Sequence, residues 1–199
     1  MTEQEPHLGA VTDIISQQPE GPERSIVDRV RTQQKHSESA DNTLDLDIPG
    51  YDGQLFARYG LVEGKKIQMI SDKAQREYKN LADRALVAAQ DTIIEACQEI
   101  FFRDPDEVDS EGKPKEISIA AYMTEQGEEG WDYPVRFDDK LAEFFRWGPD
   151  DTDGSARNVL YKVFGKNDVA VANHNLILSR WMADPSRDPM GGLLGELGA

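Results

Sequence analysis

The longest stretch of unbroken helical period runs from residue 78 to residue 103, and any fold of this chain has to bury it. Leu81, Ala82, Ala85, Leu86, Ala89, Ile93, Ala96, Cys97 and Ile100 recur at spacings of three and four. At roughly 100° per residue they fall on one stripe. Val87, Ile94 and Phe101 repeat along one edge and widen it, while Asn80, Arg84, Asp91, Glu95 and Gln98 gather on the opposite side. A helix that is apolar over more than half its circumference needs neighbours on two sides. The reading is therefore a mainly α fold, a small helical domain around one long central helix with a short β-hairpin or edge strands.

Composition adds tails to that domain. An apolar fraction of 38% is low for a fully packed chain of 199 residues, and a formal net charge of −16 is large. Part of the chain is thus expected to be a solvated acidic segment. The same charge argues against nucleic-acid and anionic-membrane partners, whose phosphates it repels. There is no apolar run of transmembrane length, and the first residues lack the basic and apolar regions of a signal peptide. Cys97 is the single cysteine, which excludes an intrachain disulfide and a cysteine-cluster metal site. A reducing cytoplasm is the simplest compartment.

Residues 1–42 are rich in Glu, Gln, Ser and Pro and read as a disordered acidic arm. Ile26, Val27 and Val30 lie at helical spacing within it, too few to hold a helix alone. A core domain is expected over 43–184. Leu44, Leu46 and Ile48 alternate with Asp45 and Asp47. Pro49, Gly50, Asp52 and Gly53 then supply turn chemistry, and 54–62 alternates as a strand that can pair back as a hairpin. Ile67, Ile70, Ala74 and Tyr78 are helically spaced, and a turn or bend at Lys79 and Asn80 joins them to the central helix. Lys73, Arg76 and Lys79 form a basic patch there, read as a solvated helix face.

Residues 104–130 are acidic and read as a mobile loop, with Ile117, Ile119 and Ala121 alternating as a short strand might. Trp131, Tyr133, Val135 and Phe137 alternate too, but Pro134 restricts them to an edge strand or an extended strap. Asp138 or Asp139 caps a helix through Leu141, Ala142, Phe144 and Phe145. A helix with Ala156, Val159, Leu160, Val163 and Phe164 on its apolar face ends at Gly165. Asn167 or Asp168 caps the next, which runs to about Ala183, and the short connection favours an antiparallel pair. Residues 185–199 read as a flexible Gly-rich tail with one apolar cluster, Met190, Leu193, Leu194 and Leu197.

Chemical signatures are missing. There is no phosphate loop, dinucleotide-binding turn, zinc-binding His pair or nucleophile elbow. Two acidic stretches fail as calcium loops. With Gly154 at the sixth position, Pro149 is first and Leu160 twelfth, and with Gly112 there, Ser118 cannot close the site. His174 has only His7 and His36 for imidazole partners and reads as a hydrogen-bonded core residue. Cys97, on the apolar stripe, lacks the open electropositive setting of a nucleophile. No catalytic residue, cofactor site or metal site is assigned, and the chain is read as a non-enzyme.

Three blocks, taken in order, carry a resemblance. They are LDIPGYDGQLFARYGLVE (46–63), followed by IIEACQEIFFRD (93–104); PVRFDDKLAEFF (134–145); and ARNVLYKVFGKNDVAVANHNLILSRWM (156–182), with LLGEL in the tail. In this arrangement the chain resembles the tail assembly chaperones of long-tailed, siphovirus-type phages of actinobacteria. The resemblance covers roughly 44–197 and rests on order and spacing. It implies a non-enzymatic factor of the infected host's cytoplasm, absent from the mature virion, that keeps the tape-measure protein soluble while tail-tube subunits gather around it. It also implies a longer form made by ribosomal frameshift, through which the tail-tube protein could be reached. Self-association into a homo-oligomer stays open.

An alternative is a virion structural protein, such as a minor tail or head–tail connector component. Another is an enzyme using the acidic residues of 104–129 or 150–153. Partner-binding candidates are Val87, Ile94 and Phe101 on the edge of the central stripe, and Met190, Leu193, Leu194 and Leu197 in the tail.

Overall fold

The computed structural model describes residues 42–185. The expected acidic arm, apart from Asn42, and the tail cluster of Met190, Leu193, Leu194 and Leu197 lie outside the described residues. Within them are four strands, β1 (Thr43–Asp47), β2 (Leu55–Gly60), β3 (Cys97–Val108) and β4 (Pro114–Ser118). The helices are α1 (Gly64–Glu77), α2 (Leu81–Ala96), α3 (Ile119–Glu125), α4 (Asp139–Phe144), α5 (Ala156–Val163) and α6 (Asp168–Ala183). The strands form one antiparallel sheet in the order β1-β2-β3-β4. The fold is thus α+β, which corrects the mainly α expectation.

The correction turns on the central helix, which stops at Ala96. Cys97 is both its C-cap, with extended backbone, and the first residue of β3. The ladder with β2 pairs Arg58 with Glu99 but Tyr59 with Cys97, so Gln98 is a bulge. A bulge shifts the alternation by one residue. Cys97 and Ile100, three apart, therefore both point into the core, at 1% and 0% exposure. Beyond the bulge, Ile100 and Phe102 face inward, whereas Phe101 faces the other side of the sheet and stacks on Phe56 at 5.2 Å. A spacing of three across a bulge imitates a helix, and Ile-Phe-Phe, rich in strand-favouring side chains, pairs with Leu55, Phe56 and Ala57 instead.

The expected mobile loop 104–130 is also ordered differently. Its first residues continue β3, and Asp109 closes a tight turn by accepting hydrogen bonds from the backbone N–H groups of Glu111 and Lys113. The strand β4 returns along β3, and α3 follows at once with Ser118 as N-cap. Strap 131–137 buries Trp131, Val135 and Phe137 and leaves Tyr133 outside. Its Val135 carbonyl accepts from Ile100 N–H at 2.9 Å, and Arg136 Nε donates to the Gln98 carbonyl at the bulge.

Of the two readings at Lys79 and Asn80, bend or turn, the structure has the turn, and the capping chemistry expected at 138 and 167 is present. Asn80 starts α2 by accepting from Ala82 N–H, so Lys79 and Asn80 separate two helices. Asp138 accepts from Leu141 N–H, and Asn167 from Val169 and Ala170 N–H. Gly165 follows α5 with φ of +65°, a left-handed conformation that costs a side chain about 1 kcal/mol. One apolar cluster joins the inner face of the sheet (Leu46, Leu55, Ala57, Tyr59, Ile100) to α2, α5, α6 and the strap.

Candidate functional site: a groove between three helices

Helices α1 and α6 both pack on α2 but leave a gap between themselves. A recess of about 490 Å³ lies between them, lined by Val62, Ile67 and Ile70 on one wall, Ala85, Ala88, Ala89 and Thr92 beneath, and Asn175, Ser179, Met182 and Ala183 on the other. A second recess of about 510 Å³ continues along α2 and α6 through Ala82, Ala85, Leu86, Ala89, Val169, Ala172 and Asn175. The two share Ala85, Ala89 and Asn175, so they form one groove.

Why these helices leave a groove follows from their side chains. Alanines recur on α2 at 82, 85, 88 and 89, and α6 answers with Ala172, Ser179 and Ala183. Small residues cannot fill the space between helices whose spacing is held by larger neighbours. The buried side chains of α6 are Val171, His174, Leu178 and Trp181, and none of them lines the groove. On α1 only Ala74 is buried, and Met69 is 60% exposed. The groove is therefore apolar, floored by small side chains and open to solvent.

One polar atom stands out in its wall. The side-chain Oδ1 of Asn175 is out of solvent and has no hydrogen-bond partner. A buried acceptor left unpaired is costly and rare. The residue lines both recesses, but this atom is turned away from their solvent.

The neighbouring buried polar pair is structural. His174 Nε2 and Tyr59 Oη share a hydrogen bond of 2.8 Å between α6 and β2. Edges of the His174 ring meet Tyr59 at 5.3 Å and Phe164 at 5.0 Å. Burial pulls the imidazole down to about 4 and pushes the Tyr59 hydroxyl well above its ordinary range, so both are neutral near pH 7. Cys97 is buried, and that burial pushes its thiol up to about 12, far from thiolate reactivity. Among the described residues no group of three or more His, Cys, Asp or Glu side chains could hold a metal ion. None of their helices is long and apolar enough to cross a membrane.

The structure separates the partner-binding candidates. Val87 is buried on α2 at 8% exposure, outside the main apolar cluster. Ile94 is half-buried and lines a shallow recess with Met69 and Ile70 on the other side of α1. Phe101 is on β3, not on the helix, and faces the outer side of the sheet beneath the Arg58 guanidinium, 4.6 Å from its ring centre. The three do not share a surface. The acids Asp91, Glu95 and Glu99 do not form one either. Asp91 receives both arms of Arg157 from α5, Glu95 pairs with Lys66 of α1, and Glu99 has moved onto β3. What the sequence reading passed over is the alanine stripe of α2 with Asn175. In the sequence, Ala82, Ala85 and Ala89 are part of the apolar stripe and carry no mark that separates groove from core.

No family model matches this chain, and neither the curated proteins nor the solved structures give a match.

Proposed function

We propose that this chain is a phage tail assembly chaperone that binds helical segments of a tape-measure protein in the groove between α1, α2 and α6, and that it does no catalysis. The observation that carries the reading is the groove itself. An amphipathic helix presents apolar side chains at intervals of three and four and needs an apolar channel whose floor admits close approach. Alanines at 82, 85, 88 and 89 provide such a floor. Exposed Val169 on α6 extends the apolar surface along its margin. The formal charge of −16 would keep a complex with much apolar client surface in solution. The sequence blocks described above supply the choice of client.

On this reading the protein works in the host cytoplasm and is absent from the mature particle. A longer frameshifted form would bring in the tail-tube protein. The test is co-expression with the long, coiled-coil-rich product encoded beside it, comparing the natural chain with Ala85→Arg. Ala85 is exposed in the groove, so the substitution blocks the channel and spares the core. The natural chain should keep the client soluble and co-purify with it, and the variant should lose most of both. If both chains, or neither, solubilise the client, the groove reading fails. Mass spectrometry of purified particles separates this role from a virion structural component, which would be present in stoichiometric amounts.

A further inference from the structure

The two ends of the groove differ in charge, and the difference bears on what the groove accepts. Among the described residues, only two charged side chains line it, Asp83 of α2 and Asp168 of α6, and both stand in the recess that holds Ala82 and Val169. Both are exposed, and neither belongs to an ion pair among the described residues. Asp168 accepts a hydrogen bond from the Tyr161 hydroxyl, a neutral donor that leaves its charge in place. The two acids sit in the first turns of α2 and α6, whose N-terminal dipoles amount to about half a positive charge each. Two full charges against two halves leave that end of the groove negative. The other recess, which reaches Thr92 and Met182, is lined by no charged side chain.

The floor sets the size of the occupant. From Ala82 to Thr92 the groove follows α2 for about 15 Å, room for roughly three turns of a second helix. The lining positions Ala82, Ala85, Ala89 and Thr92 succeed one another at intervals of three and four, the spacing at which a helix laid alongside presents its own side chains. Because the floor is small, the occupant has to supply the bulk that fills the space.

We infer that the groove selects a helix of about three turns with bulky apolar side chains at intervals of three and four, and with Lys or Arg at the end that lies over Asp83 and Asp168. The inference rests on the client reading above and adds to it which segments of a client are bound. A helix with the same apolar face but an acidic end is rejected, since it sets carboxylate against carboxylate. A basic residue at one end only also fixes which way the occupant lies.

The test uses the full-length chain and two fluorescent synthetic helices of about 18 residues, long enough to hold helix in water. They share one leucine stripe at intervals of three and four. One carries two lysines beyond each end of the stripe, and the other carries two glutamates there. By fluorescence anisotropy at low ionic strength, the natural chain should bind the lysine peptide on the order of tenfold more tightly, a preference that shrinks with added salt. Asp83→Lys with Asp168→Lys should abolish or reverse the preference. Glu128→Lys with Glu129→Lys makes the same change in net charge at exposed positions that do not line the groove, and should keep it. The readout is a ratio of two affinities on one protein, so a general loss of stability in a variant does not imitate the effect. Equal affinities on the natural chain, no binding of either peptide, or the same shift in both double variants would overturn the inference. Failure of the client reading looks different. A natural chain that shows this charge preference but leaves the co-expressed tape-measure product insoluble keeps the selectivity and loses the client, whereas a solubilised client with no charge preference removes the inference alone.

Discussion

Acid should unlock this fold at one buried imidazole, and the size of the effect can be worked from the structure. His174 is 3% exposed, hydrogen-bonded to Tyr59 Oη and held between two aromatic rings. Burial moves its pKa from 6.5 to about 4. The native state therefore binds its proton less readily than the unfolded chain. Its contribution is intact above pH 6.5, is lost progressively as pH falls toward 4, and changes little below that. A gap of about 2.5 units corresponds to about 3 kcal/mol, of which about 2 is already lost at pH 5. For a chain of this length, 2 kcal/mol is a fall in melting temperature of about 4–8 °C. The carboxylates of an acidic chain titrate in the same range, so the informative quantity is a difference. His174→Gln keeps a polar group in reach of Tyr59 Oη but cannot take up a proton. Thermal melts of both chains should be run from pH 7.5 to pH 4.5. The natural chain should lose about 2 kcal/mol more than the variant by pH 5. Parallel curves would refute the reasoning, as would an NMR titration in which the His174 ring protonates near 6.5 in the folded protein.

Other consequences of the geometry are equally direct. Ile100 is fully buried and Phe101 half-buried on the opposite face of the same strand. Ile100→Ala should therefore cost about 3 kcal/mol in chemical denaturation and Phe101→Ala distinctly less; a helix across this segment would not separate them so. The two-armed Arg157–Asp91 contact ties α5 to α2 with both side chains mostly out of solvent. A double-mutant cycle with Asp91→Asn and Arg157→Met should give a coupling of about 1–3 kcal/mol that survives moderate salt. Gly165→Ala places a side chain at φ of +65° and should lower stability by about 1 kcal/mol, read by the same denaturation assay.

Local chemistry was legible in the sequence wherever a single side chain decides the outcome. Asp138 and Asn167 each accept from the backbone of the first turn, and the turn after β1 uses Gly50 and Gly53 at positive φ. The sheet was hidden for two different reasons. In β3 the Gln98 bulge gives Cys97 and Ile100 a helical spacing while they sit on a strand. In the β3–β4 hairpin the far end is mostly exposed, held by ladder bonds and by pairs such as Lys115–Glu107 and Lys113–Glu111. A strand with no buried face carries no alternation to read. The groove was hidden because an alanine stripe looks the same whether another helix covers it or not. The missing partner of Asn175 exists only in three dimensions.

The outer face of the sheet explains why the helical side is the place to look for a partner. Phe56 and Phe101 stack there, and a sheet with two exposed phenylalanines would itself invite binding. Instead Arg103 lies 4.3 Å from the centre of the Phe56 ring and Arg58 covers Phe101. Arg58 is fixed by Asp45, and Arg103 by Asp47, Glu116 and the Gly53 carbonyl. Two guanidinium planes thus lid the aromatic pair, and three carboxylates hold the lids in place. Phe56 is left with no exposed surface. Among the described residues the most exposed large apolar side chains are Met69, Leu81, Val108, Tyr133, Val169 and Leu176. Four of these six belong to α1, α2 and α6, the helices that frame the groove. The outer face of the sheet is thus sealed with charge, whereas no such lid covers the apolar side chains that line the groove, so an apolar partner would gain most by docking there.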